Sequence, residues 1–388
     1  MTQSTKSTRR GHHEGSIRKR PDGTWEARLS LPNGKRKSLY AKTQREARDR
    51  LKAAQRDAEN GLDLTARKQT VGQFLDQWLA DVAKPNLRPK THHSYAQLVR
   101  LHLKPHLGHH QLAKLTPQHI QAMMTTQGAA GLSPRTVQYT RAVLRRALGQ
   151  ALKWSLVTRN VATLVDPPLS DQKEVTPLTV EQVARFLRAT RDDRYGPLYH
   201  VAIGTGLRQG ELFGLRWRDV DLDDASLTVR FAMQRIDGKP TFVEPKTKRS
   251  RRTLALDPTT VDALRRQRIA QLEARLLAGA QWQDWGLVFA SSVGTPLEPS
   301  NVTHRFQERI AGIFAVEIKA GELTHQRFHD LRHCAASLLL GQGADMREIM
   351  QQLGHSQIAM TANTYTHLSK ELKRATADRM GVALKVVS

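Results

Sequence analysis

The sequence is poor in cysteine and has no long apolar run. Cys334 is the only cysteine among 388 residues, which excludes an internal disulfide framework and any cysteine-rich zinc or iron–sulfur site. No apolar run approaches the roughly 18 residues that a membrane span requires, and no apolar region follows the N-terminal MTQSTKSTRR as in a secretory signal. These absences predict a protein of the reducing cytoplasm without membrane attachment.

Acidic residues are scarce relative to basic ones. The chain holds 61 Lys and Arg against 36 Asp and Glu, which gives a formal net charge of +25. Residues 1–67 carry 17 basic and 8 acidic side chains, residues 68–170 carry 13 and 3, and residues 171–388 carry 31 and 25. Because the excess is concentrated in the first 170 residues, it favours binding of nucleic acid over a uniform solubilising charge.

The first 60 residues have the pattern of a small sheet followed by a helix. Trp25, Ala27 and Leu29 alternate with charged residues, as in a strand, and Pro-Asp-Gly and Pro-Asn-Gly turns separate three such segments. We predict strands over 16–19, 24–29 and 35–40, and then a helix. Basic side chains here would line a face that enters a DNA groove, or simply a solvated face. They are Arg18, Arg28, Lys35, Arg36 and Lys37.

Residues 70–164 change to helical periodicity. Apolar residues recur at spacings of three and four from Val71 to Leu79, and further helices are predicted over 91–103, 116–127 and 133–156. The last of these helices carries arginines that would contact DNA phosphates. They are Arg135, Arg141, Arg145 and Arg146. A helical bundle is by itself too common to indicate a function.

A loop rich in turn formers, residues 166–171, separates this bundle from a third region. There Thr179 and Gln182 have the spacing of a capping box, and helical periodicity follows. Strand-like alternation over 221–235 and 240–256 interrupts it. The sequence therefore predicts a multidomain, mainly α fold with small β parts.

Two clusters in the third region contain side chains suited to phosphate chemistry. Arg208 and Glu211 follow Gly206, and taken alone such a pair is typical of a helix surface. The basic stretch EPKTKRSRR, residues 244–252, contains Lys246 and in isolation is equally typical of a solvated loop. Neither cluster alone indicates a function.

Two further clusters follow towards the C terminus. His329 and Arg332, three residues apart, share one face of a predicted helix, and His355 in Leu-Gly-His precedes Tyr365 by ten residues. In this order the four clusters resemble the tyrosine recombinase family, the phage integrases, whose catalytic set is Arg, Lys, His-x-x-Arg, His or Trp, and Tyr. The boxes G-L-R-x-G-E-L, P-K-T-K, H-D-L-R-H and L-G-H…T-x-x-T-Y together make this resemblance highly specific.

The resemblance implies a domain order and a set of partners. It implies an arm-type DNA-binding domain over 1–65, a helical, SAM-like core-binding domain over 66–165, a linker over 166–177 and a catalytic domain over 178–388. Double-stranded DNA with core-type and arm-type attachment sites would be the substrate, and a homotetramer would join two sites. Integration and excision of a mobile element or prophage would follow, with an excision factor and a host DNA-bending protein as further partners.

The same resemblance makes Tyr365 the nucleophile that forms a 3′-phosphotyrosyl bond and frees a 5′-hydroxyl. Arg208 and Arg332 would hold the non-bridging oxygens of the phosphate, which suit planar guanidinium groups. Because the covalent bond conserves the energy of the broken phosphodiester, neither metal nor nucleotide is expected as cofactor. The sequence also contains no P-loop or dinucleotide-binding fingerprint.

The remaining roles are those of proton transfer and positioning. By resemblance Lys246 protonates the leaving oxygen, with Lys248 as the alternative from the same stretch. His329 would be the general base and His355 a hydrogen-bond donor to the phosphate. Glu211 would orient Arg208 or a neighbouring histidine without reacting.

Other functions share parts of this pattern. A metal-dependent nuclease is one alternative, because His329 and His333 have the spacing of a helical zinc pair and Cys334 is adjacent. Asp330 stands where a zinc-protease helix has Glu, and no Asp/Glu cluster suited to magnesium is evident. A catalytically inactive DNA-binding protein is a second alternative, against which the complete set of residues argues. A relaxing topoisomerase shares the chemistry but not the arm-like N-terminal region.

The last residues have strand periodicity. Met380, Val382, Leu384 and Val386 fall on one face of an extended segment. By resemblance to integrases whose tail docks on a neighbouring protomer, we expect this segment to add to a sheet of the adjacent subunit. Packing on its own domain and fraying are the alternatives.

Overall fold

The computed structural model describes residues 15–31, 34, 36–59, 69–169, 176–244 and 251–354. By internal contacts the chain divides into two units, Met1–Gln172 and Lys173–Ser388. Among the described helices, none combines the length and the apolar character needed to cross a lipid bilayer.

The first unit begins with the predicted sheet and helix. The elements are β1 (Ser16–Lys19), β2 (Trp25–Ser30), β3 (Arg36–Ala41) and α1 (Gln44–Glu59). The strands are antiparallel in the order β1-β2-β3, so alternate residues of β2 face opposite sides of the sheet. On one side Ala27 and Leu29 are buried with Ala47 and Leu51 of α1. The other side is left for polar side chains.

Helices make up the rest of the described part of this unit. They are α2 (Val71–Trp78), α3 (Lys84–Asn86), α4 (Pro89–Leu98), α5 (Lys104–Leu107), α6 (Pro117–Ala129) and α7 (Pro134–Lys153). π-Helical turns at Leu79–Ala83 and Val99–Leu103 join α2 to α3 and α4 to α5. As predicted, Pro134 begins α7, and the Ser133 hydroxyl accepts a hydrogen bond from the Thr136 amide.

The second unit is mainly helical. Its helices are α8 (Val180–Ala189), α9 (Gly196–Thr205), α10 (Gln209–Phe213), α11 (Pro258–Ala278), α12 (Pro299–Ile313), α13 (Ala315–Lys319), α14 (Asp330–Gly341) and α15 (Met346–Leu353). The predicted capping box is confirmed, since Thr179 and Gln182 exchange hydrogen bonds at the start of α8. The rings of Phe186, Tyr199 and Phe306 pack 5.3 to 5.7 Å apart in its core.

The segments with strand-like alternation, 221–235 and 240–256, contain shorter strands than predicted. They are β4 (Val220–Asp221), β5 (Ser226–Val229), β6 (Ala232–Ile236), β7 (Lys239–Val243) and β8 (Arg252–Ala255). β5 lies between β4 and β8 in one sheet, and β6 and β7 form a separate hairpin. The prediction of continuous strand structure over 221–235 is therefore wrong. The chain leaves the first sheet after Val229, while the alternation of buried residues continues to Met233 and conceals the break.

Candidate active site

A sharp turn between α9 and α10 places Arg208. Gly206 follows α9 in the left-handed region, with φ of 63°. A Cβ atom there would lie 2.3 Å from the Leu353 side chain, so the turn requires glycine. Arg208 occupies the N-cap position of α10, and 36% of its side chain is exposed. The turn thus presents the guanidinium at the surface from a fixed backbone position.

Glu211 holds Arg208 from the protein side. Its carboxylate accepts hydrogen bonds from the Arg208 amide at 3.1 Å and from Arg208 Nη1 at 2.9 Å. It also accepts one from Arg252 Nη2 at 3.1 Å. Although burial by itself raises the pKa of Glu211, the charges of Arg252 and Arg208 bring it below its usual value. Glu211 is only 5% exposed, so its interpretation as part of a surface pair is wrong.

Arg332 lies in the first turn of α14 and is almost completely buried. Its exposed fraction is 3%. Nη1 donates to the Gly206 carbonyl and Nη2 to the Leu353 carbonyl, both at 2.6 Å. Arg332 therefore ties α14 to the turn that carries Arg208 and to the end of α15.

His329 stands at the N-cap position of α14 and is an exposed residue. Neighbouring protein atoms nonetheless displace part of the water around the imidazole ring. This desolvation, together with nearby His333 and Arg332, lowers the pKa of His329 to about 4, and Arg208 acts in the same direction. The ring is therefore neutral at pH 7 and shares one electrostatic environment with both arginines.

Arginines gather at the C-terminal end of α15. They donate to successive carbonyls: Arg252 to Gln352 at 2.9 Å, Arg332 to Leu353 at 2.6 Å and Arg208 to Gly354 at 3.2 Å. Because the carbonyls at a helix C terminus carry partial negative charge, cations are favourable there. Gly354 ends the helix in the left-handed region, with φ of 66°, and His355 is the next residue. The described chain thus ends within the sequence box of His355 and Tyr365, directly before His355.

The structure brings together some of the predicted site residues. Arg208, Glu211, His329 and Arg332 meet in one cluster. Other predicted residues lie outside the described part of the chain, and their roles stay predictions. They are Lys35, Lys246, Lys248, His355, Tyr365 and the C-terminal residues 380–386.

Arg252 is a member of the cluster that sequence reasoning missed. Its side chain is 7% exposed, and it contacts residues 41 and 100 positions away in sequence, Glu211 and Gln352. A signal was present, because Arg252 alternates with Leu254 and Leu256 and so shares their inward-facing positions. An arginine at an inward-facing strand position needs partners, but the sequence does not show which ones.

The third residue of the alternative zinc site, Cys334, lies in the hydrophobic core of the second unit. The rings of His329 and His333 are 5.8 Å apart and nearly perpendicular. Cys334 is buried in the core, where burial raises the pKa of its thiol to about 12, whereas a zinc ligand is a thiolate. Among the described residues, no group of three or more His, Cys, Asp or Glu side chains is arranged to hold a metal ion.

A basic groove of about 860 Å³ runs along α7 in the first unit. Its cationic lining consists of Arg141, Arg145, Arg146 and Lys153. Arg146 Nη1 donates to the Tyr95 hydroxyl at 3.2 Å. Arg141 Nε is buried and has no hydrogen-bond partner among the described residues, and burial and Arg145 lower the pKa of Arg141. Arg135 is exposed near the start of the helix. The groove thus holds donors that suit an anion.

Two of the predicted DNA-facing arginines on the N-terminal sheet share one carboxylate. Glu26 is 3% exposed and accepts hydrogen bonds from Arg28 Nε at 2.9 Å, Ser38 Oγ at 2.8 Å and Arg18 Nε at 2.7 Å. The hydrogen bond from Arg28, with those from Ser38 and Arg18, lowers the pKa of Glu26 to about 2. Glu26 therefore fixes the direction of both guanidinium groups. The other described candidates, Arg36 and Lys37, lie on β3.

Comparison with protein families agrees with the geometry. A model of the phage integrase family matches residues 176–371, and a model of the phage integrase N-terminal SAM-like domain matches residues 70–125. The chain belongs to the phage integrase family. It is a tyrosine-type site-specific recombinase, as the order of its sequence boxes predicts.

Sequence relatives match the recombinase over most of its length. An integrase of Streptomyces ambofaciens is 33% identical over 88% of this chain and 88% of its own. A tyrosine recombinase XerC-like protein of Caldanaerobacter subterraneus subsp. tengcongensis is 28% identical over 88% of this chain and 90% of its own. The similarity therefore extends beyond the region of the catalytic boxes.

Solved structures share the fold of the recombinase. The Tn1549 transposon integrase in complex with a circular intermediate DNA has a TM-score of 0.68 at 21% identity, covering 80% of this chain and 99% of that one. The lambda integrase tetramer bound to a Holliday junction has a TM-score of 0.56 at 19% identity, covering 92% and 96%. The predicted fold class, mainly α with small β parts, is confirmed.

Proposed function

We propose that this recombinase breaks and rejoins double-stranded DNA at attachment sites and thereby integrates and excises a mobile element or prophage. The observation that carries the proposal is the cluster in which Arg208 and Arg332 meet at the helix end that leads into His355. The relatives named integrases and the DNA complexes of structural neighbours support the same substrate class. The bacterial relatives support a bacterial nucleoid as the place of action.

In the proposed reaction the phenol oxygen of Tyr365 attacks the scissile phosphorus. The bond between phosphorus and the 5′ oxygen breaks, the 3′ end stays bound to tyrosine, and Lys246 or Lys248 gives a proton to the leaving oxygen. Rejoining reverses these steps with a 5′-hydroxyl of the partner strand as nucleophile. Because one phosphodiester replaces another at each step, the residues of the chain suffice for the chemistry without a metal or nucleotide.

In the proposed reaction, Arg208 and Arg332 stabilise the phosphate as negative charge grows on its non-bridging oxygens. Arg208 is 36% exposed, so a phosphate at the surface can reach its guanidinium group. Glu211 accepts one hydrogen bond from the Arg208 backbone amide and one from its guanidinium group, which aligns the guanidinium before DNA arrives. His355, directly after Gly354, would add a hydrogen bond to the same phosphate.

His329 is the proposed acceptor of the Tyr365 proton. Its low pKa keeps the ring neutral, which a base requires, but also makes it a weak base in the free protein. A phosphate bound by Arg208 and Arg332 brings negative charge beside the ring and raises its pKa towards the working pH. The base is thus strengthened by DNA binding.

Two further surfaces are proposed to contact DNA. The groove of α7, with Arg141 and Arg145, would bind phosphates at the core-type site, together with exposed Arg135 on the same helix. Arg141 Nε supports this role, because it has no hydrogen-bond partner in the part of the chain that the structure describes. The face of the N-terminal sheet with Arg18 and Arg28 would bind arm-type sites.

The proposed function also implies a domain order and an assembly. We propose an arm-binding domain over 1–65, a core-binding domain over 66–165, a linker over 166–177 and a catalytic domain over 178–388. Four protomers would act on two synapsed sites, with an excision factor and a host DNA-bending protein as accessory partners.

The two surfaces predict separable binding defects. Replacing both Arg141 and Arg145 with Gln is expected to weaken core-site binding and to reduce the slope of log affinity against log salt by about 1 to 2, since each lost phosphate contact contributes about 0.9. Deleting residues 1–65 is expected to abolish arm-site binding and to leave the core-site slope unchanged. Titrations of both site types over a range of salt concentrations measure these effects. Equal loss at both sites in either variant would contradict the assignment.

The overall proposal predicts covalent capture of DNA without divalent cations. We expect incubation of the protein in EDTA with DNA that flanks its gene to yield a protein–DNA adduct, stable to detergent, at one attachment site. An adduct formed in EDTA separates this chemistry from that of a metal-dependent nuclease. Free cleavage products that appear only with added magnesium or zinc would support the nuclease instead.

A further inference from the structure

Arg252 connects parts of the catalytic cluster that are distant in sequence. It is the first residue of β8 and pairs with Val229 of β5, so the sheet fixes its backbone. From there Nη2 reaches the Glu211 carboxylate at 3.1 Å, and Nε reaches the Gln352 carbonyl at 2.9 Å. One guanidinium thus joins the carboxylate behind Arg208 to the end of α15.

The packing around Arg252 leaves little freedom to the group. Its side chain is 7% exposed, and a Cβ atom on Gly354 would lie 2.9 Å from Nη1. Arginine suits this place because its planar fork directs donors along several fixed directions, whereas lysine has a single ammonium on a flexible chain. Without Arg252, Glu211 would keep only its hydrogen bonds to Arg208 and would be partly uncompensated in a buried position.

We propose that Arg252 is a positioning residue for DNA cleavage. This proposal rests on the proposed function. It sets the position of Glu211, through which it aligns the Arg208 guanidinium on the scissile phosphate. By holding the Gln352 carbonyl it also fixes the end of α15, beside the carbonyls that bind Arg332 and Arg208. Arg252 itself does not contact the substrate in this proposal. Its loss therefore weakens the stabilisation of phosphate charge by Arg208.

The test compares two DNA substrates that differ only at the scissile position. One carries the normal phosphodiester, and the other carries a methylphosphonate, in which a methyl group replaces a non-bridging oxygen and removes the negative charge. Single-turnover cleavage is measured for the wild-type protein and for Arg252→Gln, Arg252→Lys and Arg208→Ala. Arg309→Gln is the matched control. It removes an arginine that donates to a buried carboxylate, Asp193, at 2.6 Å. In this variant Asp193 retains its ion pair with Arg305, just as Glu211 retains its contact with Arg208 when Arg252 is replaced.

On the phosphodiester we expect Arg252→Gln to cleave about 10- to 100-fold more slowly than wild type, as for a small misplacement of a reacting group. On the methylphosphonate the deficit should shrink several-fold, as it should for Arg208→Ala, because the neutral substrate needs less charge stabilisation. Arg252→Lys should resemble Arg252→Gln, since it keeps the charge but loses the planar fork. Arg309→Gln should cleave each substrate at the wild-type rate.

The ratio of the two rates separates positioning from a general loss of structure. Both rates scale equally with the folded fraction, so partial unfolding of Arg252→Gln leaves the ratio unchanged, and Arg252→Lys provides the same ratio if the Gln variant does not fold. A wild-type rate, or an equal deficit on both substrates, would overturn the role of Arg252. Failure of the wild-type protein to form any covalent adduct would instead overturn the proposed function.

Discussion

Replacing Arg332 with Ala is expected to slow DNA cleavage by at least about 100-fold, the typical cost of losing one stabiliser of transition-state charge. DNA affinity should change little, because the proposed role of Arg332 is to stabilise the negative charge that grows on the scissile phosphate in the transition state, which the bound ground state does not yet carry. The effect should appear in the single-turnover rate on a nicked suicide substrate at saturating protein.

Arg332→Ala also removes the donors for two buried carbonyls, of Gly206 and Leu353. An unsatisfied buried group costs about 1–3 kcal/mol, so the melting temperature should fall as well. Arg208→Ala is the companion variant, since Arg208 is 36% exposed and should lose rate with less loss of stability. A rate within about threefold of wild type for either variant, corrected for the folded fraction, would contradict the proposed role of that arginine.

The sequence pointed to Arg208, His329 and Arg332 through the order of boxes that resembles the tyrosine recombinase family. Arg208 lies two residues after the glycine that its turn requires, and His329 and Arg332 lie together at the start of one helix. Such local patterns are set by backbone geometry over a few residues. They can therefore be recognised without knowledge of the tertiary fold.

What the sequence missed depends on contacts between distant segments. The sequence predicted that Glu211 orients Arg208, but it did not show that Glu211 is buried and also binds Arg252, which lies 41 residues away. Arg18 and Arg28 resembled independent cations because the strand register that brings both to Glu26 is a property of the folded sheet. In each case a carboxylate between two arginines is visible only once the elements are paired.

Replacing Tyr365 with Phe is expected to abolish the covalent protein–DNA adduct and all recombination. The substitution removes the single oxygen that would form the bond to phosphorus, while the arginines that hold the phosphate are untouched. Binding to the attachment site should therefore stay at the wild-type level. A His329→Gln variant should behave differently, since it retains the nucleophile and would still accumulate adduct slowly.

The most direct evidence for Tyr365 as the nucleophile would be the identity of the residue that is bound to DNA. The wild-type protein is trapped in EDTA on a nicked substrate, the adduct is digested with protease and nuclease, and mass spectrometry locates the nucleotide on the peptide. We expect a 3′-linked nucleotide on the phenol oxygen of Tyr365. A nucleotide on any other residue, a 5′ linkage, or an adduct that persists in Tyr365→Phe would contradict this assignment.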